Sequence, residues 1–293
     1  MTELENKIAV VEGADVLNAK MMDEIGKRKQ DETLKDIKDK LMGNGRLMII
    51  GLGGTGKTNA AMHIVRYLME SMEYKDGKMI IRIGDTVNVW KLGFDKIPFI
   101  DVTKKPLVPE DEKTVLLDLG FLDGDKNVAL LENLVGNDYY SQRKLMDENR
   151  GQTPIKRIYV IEEAQNLFGS FRRGGFWLKI WSESRNYGQY FIALAQRLSD
   201  VSTQLVERTK WLLIGSLSGQ NDLAKIRGMF DKETAKRTIS NIQSLRQGEF
   251  LFIDRENPES SIIITLTKFE QNGIPYEYSF NPPKYITSRR AFL

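Results

Sequence analysis

Eight residues, Gly51-Leu52-Gly53-Gly54-Thr55-Gly56-Lys57-Thr58, constrain the fold of this chain more than any other segment. They match the pattern G-x-x-x-x-G-K-[ST] in full. The apolar run from Leu47 to Ile50 precedes them, and a helical pattern begins within them. Glycines let successive main-chain N–H groups turn towards anionic oxygens, and the start of a helix adds partial positive charge. The segment therefore predicts a phosphate-binding loop between a buried strand and a helix.

The loop predicts ATP and Mg²⁺ as ligands. Lys57 is expected to reach the β- and γ-phosphates, and the Thr58 hydroxyl is expected to sit on Mg²⁺. The same glycines also satisfy the weaker dinucleotide pattern G-x-G-x-x-G, but a dinucleotide site lacks the Lys-Thr pair, and Asp85 comes late for a ribose ligand. The predicted nucleotide contacts are Gly51, Gly53, Gly54, Thr55, Gly56, Lys57 and Thr58.

Apolar runs alternate with helical patterns along most of the chain. This alternation predicts an α/β fold with a mostly parallel sheet that helices cover on both faces. Two further runs, 249–254 and 261–267, flank a turn-rich segment and predict a C-terminal β-hairpin. Residues 18–42 carry apolar side chains at helical spacing and predict an N-terminal helical appendage, which Gly43-Asn44-Gly45 would end as a turn. The runs predicted as strands lie at 47–50, 79–83, 114–119, 157–161, 191–195 and 211–214.

Composition excludes some classes of protein. The 293 residues are 41% hydrophobic and 28% charged, which is ordinary for a chain that buries a core. Without cysteine, the chain has neither a disulfide framework nor a cysteine-ligated zinc site. No apolar run is long enough for a transmembrane helix, and the acidic start does not read as a signal peptide. Since cysteine is absent, we expect a cytoplasmic protein, in the host cytoplasm if the chain is viral. We expect an appendage over 1–45, an ATPase domain over 46–270 and a tail over 271–293.

Two carboxylates follow the run that ends at Ile161. In P-loop enzymes this position holds Mg²⁺ and polarises the attacking water. Glu162 is therefore predicted on the metal side and Glu163 as general base; the alternative is an acidic helix start favoured by the helix dipole. Gln196 follows another predicted strand and is expected to sense the γ-phosphate or to orient water; the alternative is an ordinary loop at the end of a strand.

Three stretches together resemble the HerA/FtsK superfamily of DNA-pumping ATPases. They are the phosphate loop, the segment 158–167 and the segment 182–199, in which Arg185 precedes Gly188 and a strand ends in Gln196-Arg197. The resemblance implies a RecA-like core, a homo-oligomer that is usually a hexameric ring, and ATP sites between subunits. It also implies that Arg185 is an arginine finger acting on the neighbour's ATP; the alternative for Arg185 is a surface salt bridge. Other arginines that could take that role are Arg172, Arg197 and Arg208.

The chain departs from this superfamily in two ways. Glu162 stands where the superfamily usually has Asp, and we expect neither an N-terminal barrel of strands nor a membrane segment nor a winged-helix DNA reader. The chain therefore resembles a minimal motor, such as the genome-packaging ATPases of membrane-containing and archaeal viruses or some plasmid mobilisation ATPases. The implied partners are double-stranded DNA and a capsid, portal or secretion component.

The segment 168–177 combines paired arginines, aromatic residues and glycines. Arg172 and Arg173 are predicted to contact DNA phosphates without reading sequence; the alternative is a hydrophobic lid packed on the core. Three other functions stay open at this point: an AAA+ remodeller, a small-molecule kinase and a slow ATP-gated assembly or partition switch. The predicted C-terminal hairpin argues against the helical lid that an AAA+ protein requires.

Overall fold

A computed structural model of the protein describes residue 26 and the ranges 28–86, 89–94, 97–101, 113–119, 124–148, 155–168, 175–271 and 274–275. The strands of its main sheet are β1 (Arg46–Ile50), β2 (Met79–Asp85), β3 (Phe99–Asp101), β4 (Thr114–Asp118), β5 (Lys156–Ile161), β6 (Gln189–Ala195), β7 (Trp211–Ile214), β8 (Glu249–Asp254) and β9 (Ile262–Thr265). Two short strands, β10 (Glu270–Gln271) and β11 (Ile274–Pro275), pair only with each other in the described part of the chain.

Helices connect most of these strands. Two 3-10 turns, Ser184–Tyr187 and Pro258–Ser260, complete the described elements. The α-helices are α1 (28–44), α2 (Lys57–Glu70), α3 (Met72–Lys75), α4 (Trp90–Gly93), α5 (Gly124–Glu148), α6 (Gln165–Phe168), α7 (Gly175–Glu183), α8 (Thr203–Glu207), α9 (Gln220–Met229) and α10 (Lys232–Ser244).

The sheet has the strand order β3-β4-β2-β5-β6-β1-β7-β8-β9. The strands from β3 to β7 in this order are parallel, and β8 and β9 continue the sheet as an antiparallel pair. Strand β6 therefore lies between β1, which leads into the phosphate loop, and β5, which leads to the acidic pair. This confirms the predicted α/β fold with its mostly parallel sheet and C-terminal hairpin.

Both faces of the sheet are buried, as parallel strands require. Because side chains alternate along a strand, Met48 and Ile50 enter one hydrophobic core while Leu47 and Ile49 enter the other. All seven residues of β6 are buried, including its first residue, Gln189. Burial on both faces explains why these strands read as continuous apolar runs rather than as alternating ones.

The N-terminal helix α1 packs on the same core as the phosphate-loop helix. Its Leu34, Ile37 and Leu41 are buried with Leu47 and Ile49 of β1. The helix continues through residue 44, and Gly45, with φ of 89°, makes the reversal into β1 alone. The predicted three-residue turn was thus too long, because the positive φ is needed at only one position.

Strand β3 was not predicted. Only Phe99–Asp101 pairs with β4, and so short a run gives no periodicity that separates it from a loop. Within the described ranges, none of the helices combines the length and the apolar character that crossing a bilayer requires. The domain limits at 45 and 270 remain predictions, and most of the expected tail lies outside the described residues.

Candidate nucleotide site

The carboxyl ends of three adjacent strands bring the predicted site residues together. In the register of the sheet, Ile50 of β1 lies beside Ala195 of β6, and Ile161 of β5 lies beside Ala193. The residues that follow these strands therefore meet at one edge of the sheet. Crevices at the carboxyl ends of parallel strands are where open α/β sheets bind ligands.

The phosphate loop leaves this edge with the conformation that its glycines predict. Gly54 and Gly56 have φ angles of 80° and 97°, which disfavour any residue with a Cβ. A Cβ on Gly51 would lie 2.7 Å from the Thr55 hydroxyl, so that position also requires glycine. Among the described residues, the N–H groups of Gly53, Gly54 and Gly56 have no main-chain acceptor. These donors are available to an anion at the start of α2.

Lys57 lies across the loop rather than pointing away from it. Its Nζ donates to the carbonyl oxygens of Gly51 and Leu52, at 2.7 and 3.1 Å. Burial lowers the pKa of Lys57, and the carboxylates of Glu162 and Glu163 oppose that shift. The ammonium group is thus close to the loop and to both acidic residues, where a terminal phosphate would take it as a hydrogen-bond donor.

Glu162 is buried with only 5% of its surface exposed. Its carboxylate accepts a hydrogen bond from the Thr58 hydroxyl and one from the Trp90 indole, with Nε1 3.0 Å from Oε1. Glu162 is one methylene longer than the usual Asp, and it ends between these two donors. The two residues predicted to hold the metal, Thr58 and Glu162, are therefore in direct contact.

The surroundings of Glu162 disfavour its charge. The pKa of Glu162 is raised to about 7: burial raises it most, the bonds from Thr58 and Trp90 lower it, and the carboxylates of Asp85 and Glu163 raise it. Asp85 is fully buried and accepts the main-chain N–H of Trp90 at 3.1 Å. Two buried carboxylates near one hydroxyl form an oxygen-rich environment that a hard cation would stabilise.

These oxygen ligands fit Mg²⁺. Thr58 and Glu162 supply the oxygen atoms that the ion prefers, and Mg²⁺ is usually held by one or two protein groups together with substrate phosphates and water. Among the described residues, no cluster of three or more acidic or imidazole side chains could hold a metal alone. The loop would therefore bind the ion together with the nucleotide.

Glu163 is held by two amides. Gln196 Nε2 donates to its Oε1 at 2.7 Å, and Gln165 Nε2 donates to its Oε2. Glu163 is the only described residue other than glycine with positive φ, at 50°. This conformation is uncommon for residues with a Cβ and is often found at functional sites. The structure thus joins the predicted base to the predicted sensor at the tips of β5 and β6.

Arg185 lies at the opposite edge of the sheet. It belongs to the 3-10 turn that precedes β6, whereas Gln196 follows β6, and the seven residues of that strand span roughly 20 Å. Its exposed side chain lies against Gly45, at the amino end of β1. Arg185 therefore does not reach the phosphate loop of its own chain. Arg172 and Arg173 lie outside the described residues.

Comparison with known proteins gives no match for the sequence but clear matches for the fold. No protein-family model matches the sequence, and no curated protein matches it. Solved structures do match: the genome packaging NTPase B204 from Sulfolobus turreted icosahedral virus 2, in complex with ATP-gammaS, has a TM-score of 0.57 at 17% identity, over 76% of this chain and 98% of that one. The chain therefore shares the α/β P-loop fold of this packaging NTPase.

Two further structures share this fold. The DNA-packaging ATPase B204 from Sulfolobus Turreted Icosahedral Virus has a TM-score of 0.55 at 20% identity, over 76% of this chain and 98% of that one. VirB4 of Thermoanaerobacter pseudethanolicus has a TM-score of 0.54 at 12% identity, over 76% of this chain and 89% of that one. Identities this low establish the fold, and the predicted RecA-like core is confirmed at that level.

Sequence reasoning missed three residues of the site. The sequence suggests Asp85 only as a ribose ligand, and it does not single out Trp90 or Gln165. Asp85 holds the start of α4, which carries Trp90 to Glu162, and Gln165 begins α6 beside Glu163. A polar residue at the carboxyl end of β2 was the available signal for Asp85. No local pattern indicates that Trp90 would reach a residue 72 positions later.

Replacement of Trp90 by phenylalanine is expected to weaken the Mg²⁺ dependence of nucleotide binding. The change keeps an apolar ring but removes the N–H donor to Glu162. Loss of such a partner of a metal ligand typically costs about tenfold or more in metal affinity. The Mg²⁺ dependence is measured by titrating Mg²⁺ into the protein in the presence of a fluorescent, non-hydrolysable ATP analogue.

Trp181→Phe is the matched control. Trp181 is also fully buried, and its indole donates to the Thr209 hydroxyl at 3.0 Å. We expect this control to lose comparable stability while its Mg²⁺ titration matches that of the unmodified protein. Equal Mg²⁺ curves for the two variants would contradict a role of Trp90 in positioning Glu162.

Proposed function

We propose that this chain is an ATP-hydrolysing translocase that moves double-stranded DNA. The observation that carries the proposal is the contact of Glu163 with Gln196 beside a phosphate loop that carries Lys57 and Thr58. These residues place a general base, a γ-phosphate sensor and phosphate-binding groups together at one edge of the sheet. A protein that only binds nucleotide does not require a base held at this place.

Different residues of the site have different roles in hydrolysis. Loop N–H groups and Lys57 bind the phosphates and offset the charge that develops on the γ-phosphoryl group. Thr58 and Glu162 would hold Mg²⁺, which would neutralise phosphate charge when bound. Glu163 accepts the proton of the attacking water, and Gln196 orients Glu163 and that water. Each oxygen of Glu163 accepts one amide hydrogen bond and keeps a second lone pair that can accept the proton of the water.

Arg185 supports an assembly in which subunits share their sites. It stands on the edge of the sheet that faces away from its own phosphate loop, as a finger acting on a neighbour's ATP requires. We propose a homo-oligomer, in the form of a hexameric ring, in which Arg185 completes the next subunit's site. An arginine supplied to a γ-phosphoryl group in this way raises hydrolysis by about three to five orders of magnitude.

DNA is proposed as the cargo on two grounds. The similar B204 structures are named as a genome packaging NTPase and a DNA-packaging ATPase. The segment between α6 and α7 contains Arg172 and Arg173, which we propose as DNA phosphate contacts. A capsid, portal or secretion component is the proposed recruiting partner.

We expect double-stranded DNA to stimulate ATP hydrolysis, and Arg185→Ala to reduce the stimulated rate about a thousandfold. The experiment measures ATPase rates with and without DNA, together with solution mass. The control is Arg237→Ala, because Arg237 is an exposed arginine that pairs with Glu259. An oligomer whose DNA-stimulated rate falls only in Arg185→Ala supports the proposal. A monomer that hydrolyses ATP equally in both variants, without response to DNA, contradicts it.

A further inference from the structure

A second cationic site lies at the edge of the sheet opposite to the phosphate loop. It is a pocket of about 450 Å³, which we call the edge pocket. Four of its lining side chains are cationic and two are anionic. They are Arg46, Arg208, Lys210 and Arg255, with Glu207 and Glu256.

The topology assembles this pocket from the ends of three adjacent strands. Arg46 begins β1, Lys210 precedes β7, and Arg255 follows the antiparallel strand β8. Because β8 is antiparallel to β7, its last residues return to the amino ends of the parallel strands. The length of β1, roughly 16 Å, separates the pocket from the phosphate loop of the same chain.

Arg46 and Arg255 are held by carbonyl groups. Arg46 donates to the oxygens of Arg208 and Ser182 at 3.0 and 3.4 Å, and Arg255 donates to those of Val206 and Thr209 at 2.7 and 3.4 Å. In the described part of the chain, neither guanidinium forms a salt bridge. Carbonyl oxygens fix the geometry of an arginine but leave its charge uncompensated.

The remaining groups supply only part of that compensation: the charge of Glu207 raises the pKa of Arg255, which burial lowers. Lys210 forms ion pairs with Asp254 and Glu256, so these carboxylates are engaged elsewhere. The Nε atoms of Arg46 and Arg255 are buried and have no acceptor among the described residues. Burial lowers the pKa of Arg46, and the charges of Arg185 and Arg208 lower it further. Arg46, Arg208 and Arg255 thus lie close together with hydrogen-bond donors that have no acceptor within the described ranges. Holding these charges together costs free energy, and a bound anion would lower that cost.

We propose that the edge pocket is a second phosphate-binding site. Arginine guanidinium groups match the geometry of phosphate oxygens in pairs, and several of them favour a dianion over a single carboxylate. The phosphoryl group can come from free inorganic phosphate or from ATP held by a second copy of this chain. The second source rests on the proposed function, because Arg185 flanks the pocket; the first source does not.

Calorimetric titration with inorganic phosphate at constant ionic strength tests the site. We expect two phosphates on the unmodified protein, one on Lys57→Ala, one on Arg46→Met/Arg255→Met, and none on the triple variant. Arg208→Met removes only an exposed side chain and is expected to weaken the pocket's phosphate affinity about tenfold without loss of folding. The control Arg143→Met/Arg237→Met removes two exposed arginines that already pair with carboxylates.

The two sources are separated by mixing variants. Lys57→Ala retains the edge pocket, and Arg46→Met/Arg255→Met retains the phosphate loop. Recovery of hydrolysis on mixing identifies the neighbour's ATP as the source, whereas full hydrolysis by the pocket variant alone identifies free phosphate. Two phosphates bound to Arg46→Met/Arg255→Met, or unchanged affinity in Arg208→Met, would overturn the proposal. Absence of any ATPase activity would contradict the proposed function, but the phosphate titration would still test whether the edge pocket binds phosphate.

Discussion

Lys57→Ala is expected to abolish ATP hydrolysis and to weaken ATP binding about tenfold to a hundredfold. The change removes the charged donor that lies across the phosphate loop, and hydrogen bonds to charged groups are worth about 1.5–3 kcal/mol each. The loop glycines keep their conformation, because Lys57 only bonds to carbonyls that remain in place. Binding of a fluorescent ATP analogue and release of phosphate measure the two effects.

The control for this variant is Lys225→Ala. Lys225 is a second half-buried lysine that donates to a main-chain carbonyl, that of Val201, and burial lowers its pKa as well. It lies on α9, outside the phosphate loop. We expect a similar loss of stability and normal hydrolysis. Full ATPase activity in Lys57→Ala would refute the assignment of the phosphate loop.

Glu163→Gln is expected to separate binding from chemistry. The amide has the size of the carboxylate but does not accept a proton, so hydrolysis should fall by about two to four orders of magnitude. ATP affinity should remain, since Glu163 makes its hydrogen bonds to Gln196 and Gln165 rather than to the loop. Single-turnover hydrolysis and equilibrium binding of ATP, measured on the same preparation, give both values.

Glu162→Gln provides the contrast. Glu162 contacts Thr58 and Trp90, so its loss should raise the Mg²⁺ concentration required for nucleotide binding. Glu163→Gln should leave that concentration unchanged. If the two variants show the same Mg²⁺ dependence and the same residual rate, the division of the acidic pair into a metal side and a base is wrong.

Apolar runs predicted most of the sheet because its strands are buried on both faces. Strands such as β6 contain few polar residues, so each run is visible without any partner. Strand β3 was not predicted, because three residues are too few to show the alternating pattern of a strand. The extent of α1 was also misjudged: three turn-forming residues stand together, but the helix uses the first two and only Gly45 reverses the chain.

The site was predictable where one motif fixes both the residue and its place. The phosphate loop meets this condition, and the residues after β5 and β6 meet it in part, because carboxyl ends of parallel strands converge. Trp90 was not predictable, as its role depends on a contact across 72 residues. The edge pocket was not predictable either: Arg46, Arg208 and Arg255 come from distant segments, and only the sheet order makes them neighbours.

Displacement of a triplex-forming oligonucleotide from double-stranded DNA tests the central claim most directly. A motor that moves along the duplex strips the third strand with ATP but not with a non-hydrolysable analogue. We expect ATP-dependent displacement by the unmodified protein and none by Glu163→Gln, which should still bind ATP. DNA-stimulated hydrolysis that leaves the triplex intact would contradict translocation and would favour an ATP-gated switch.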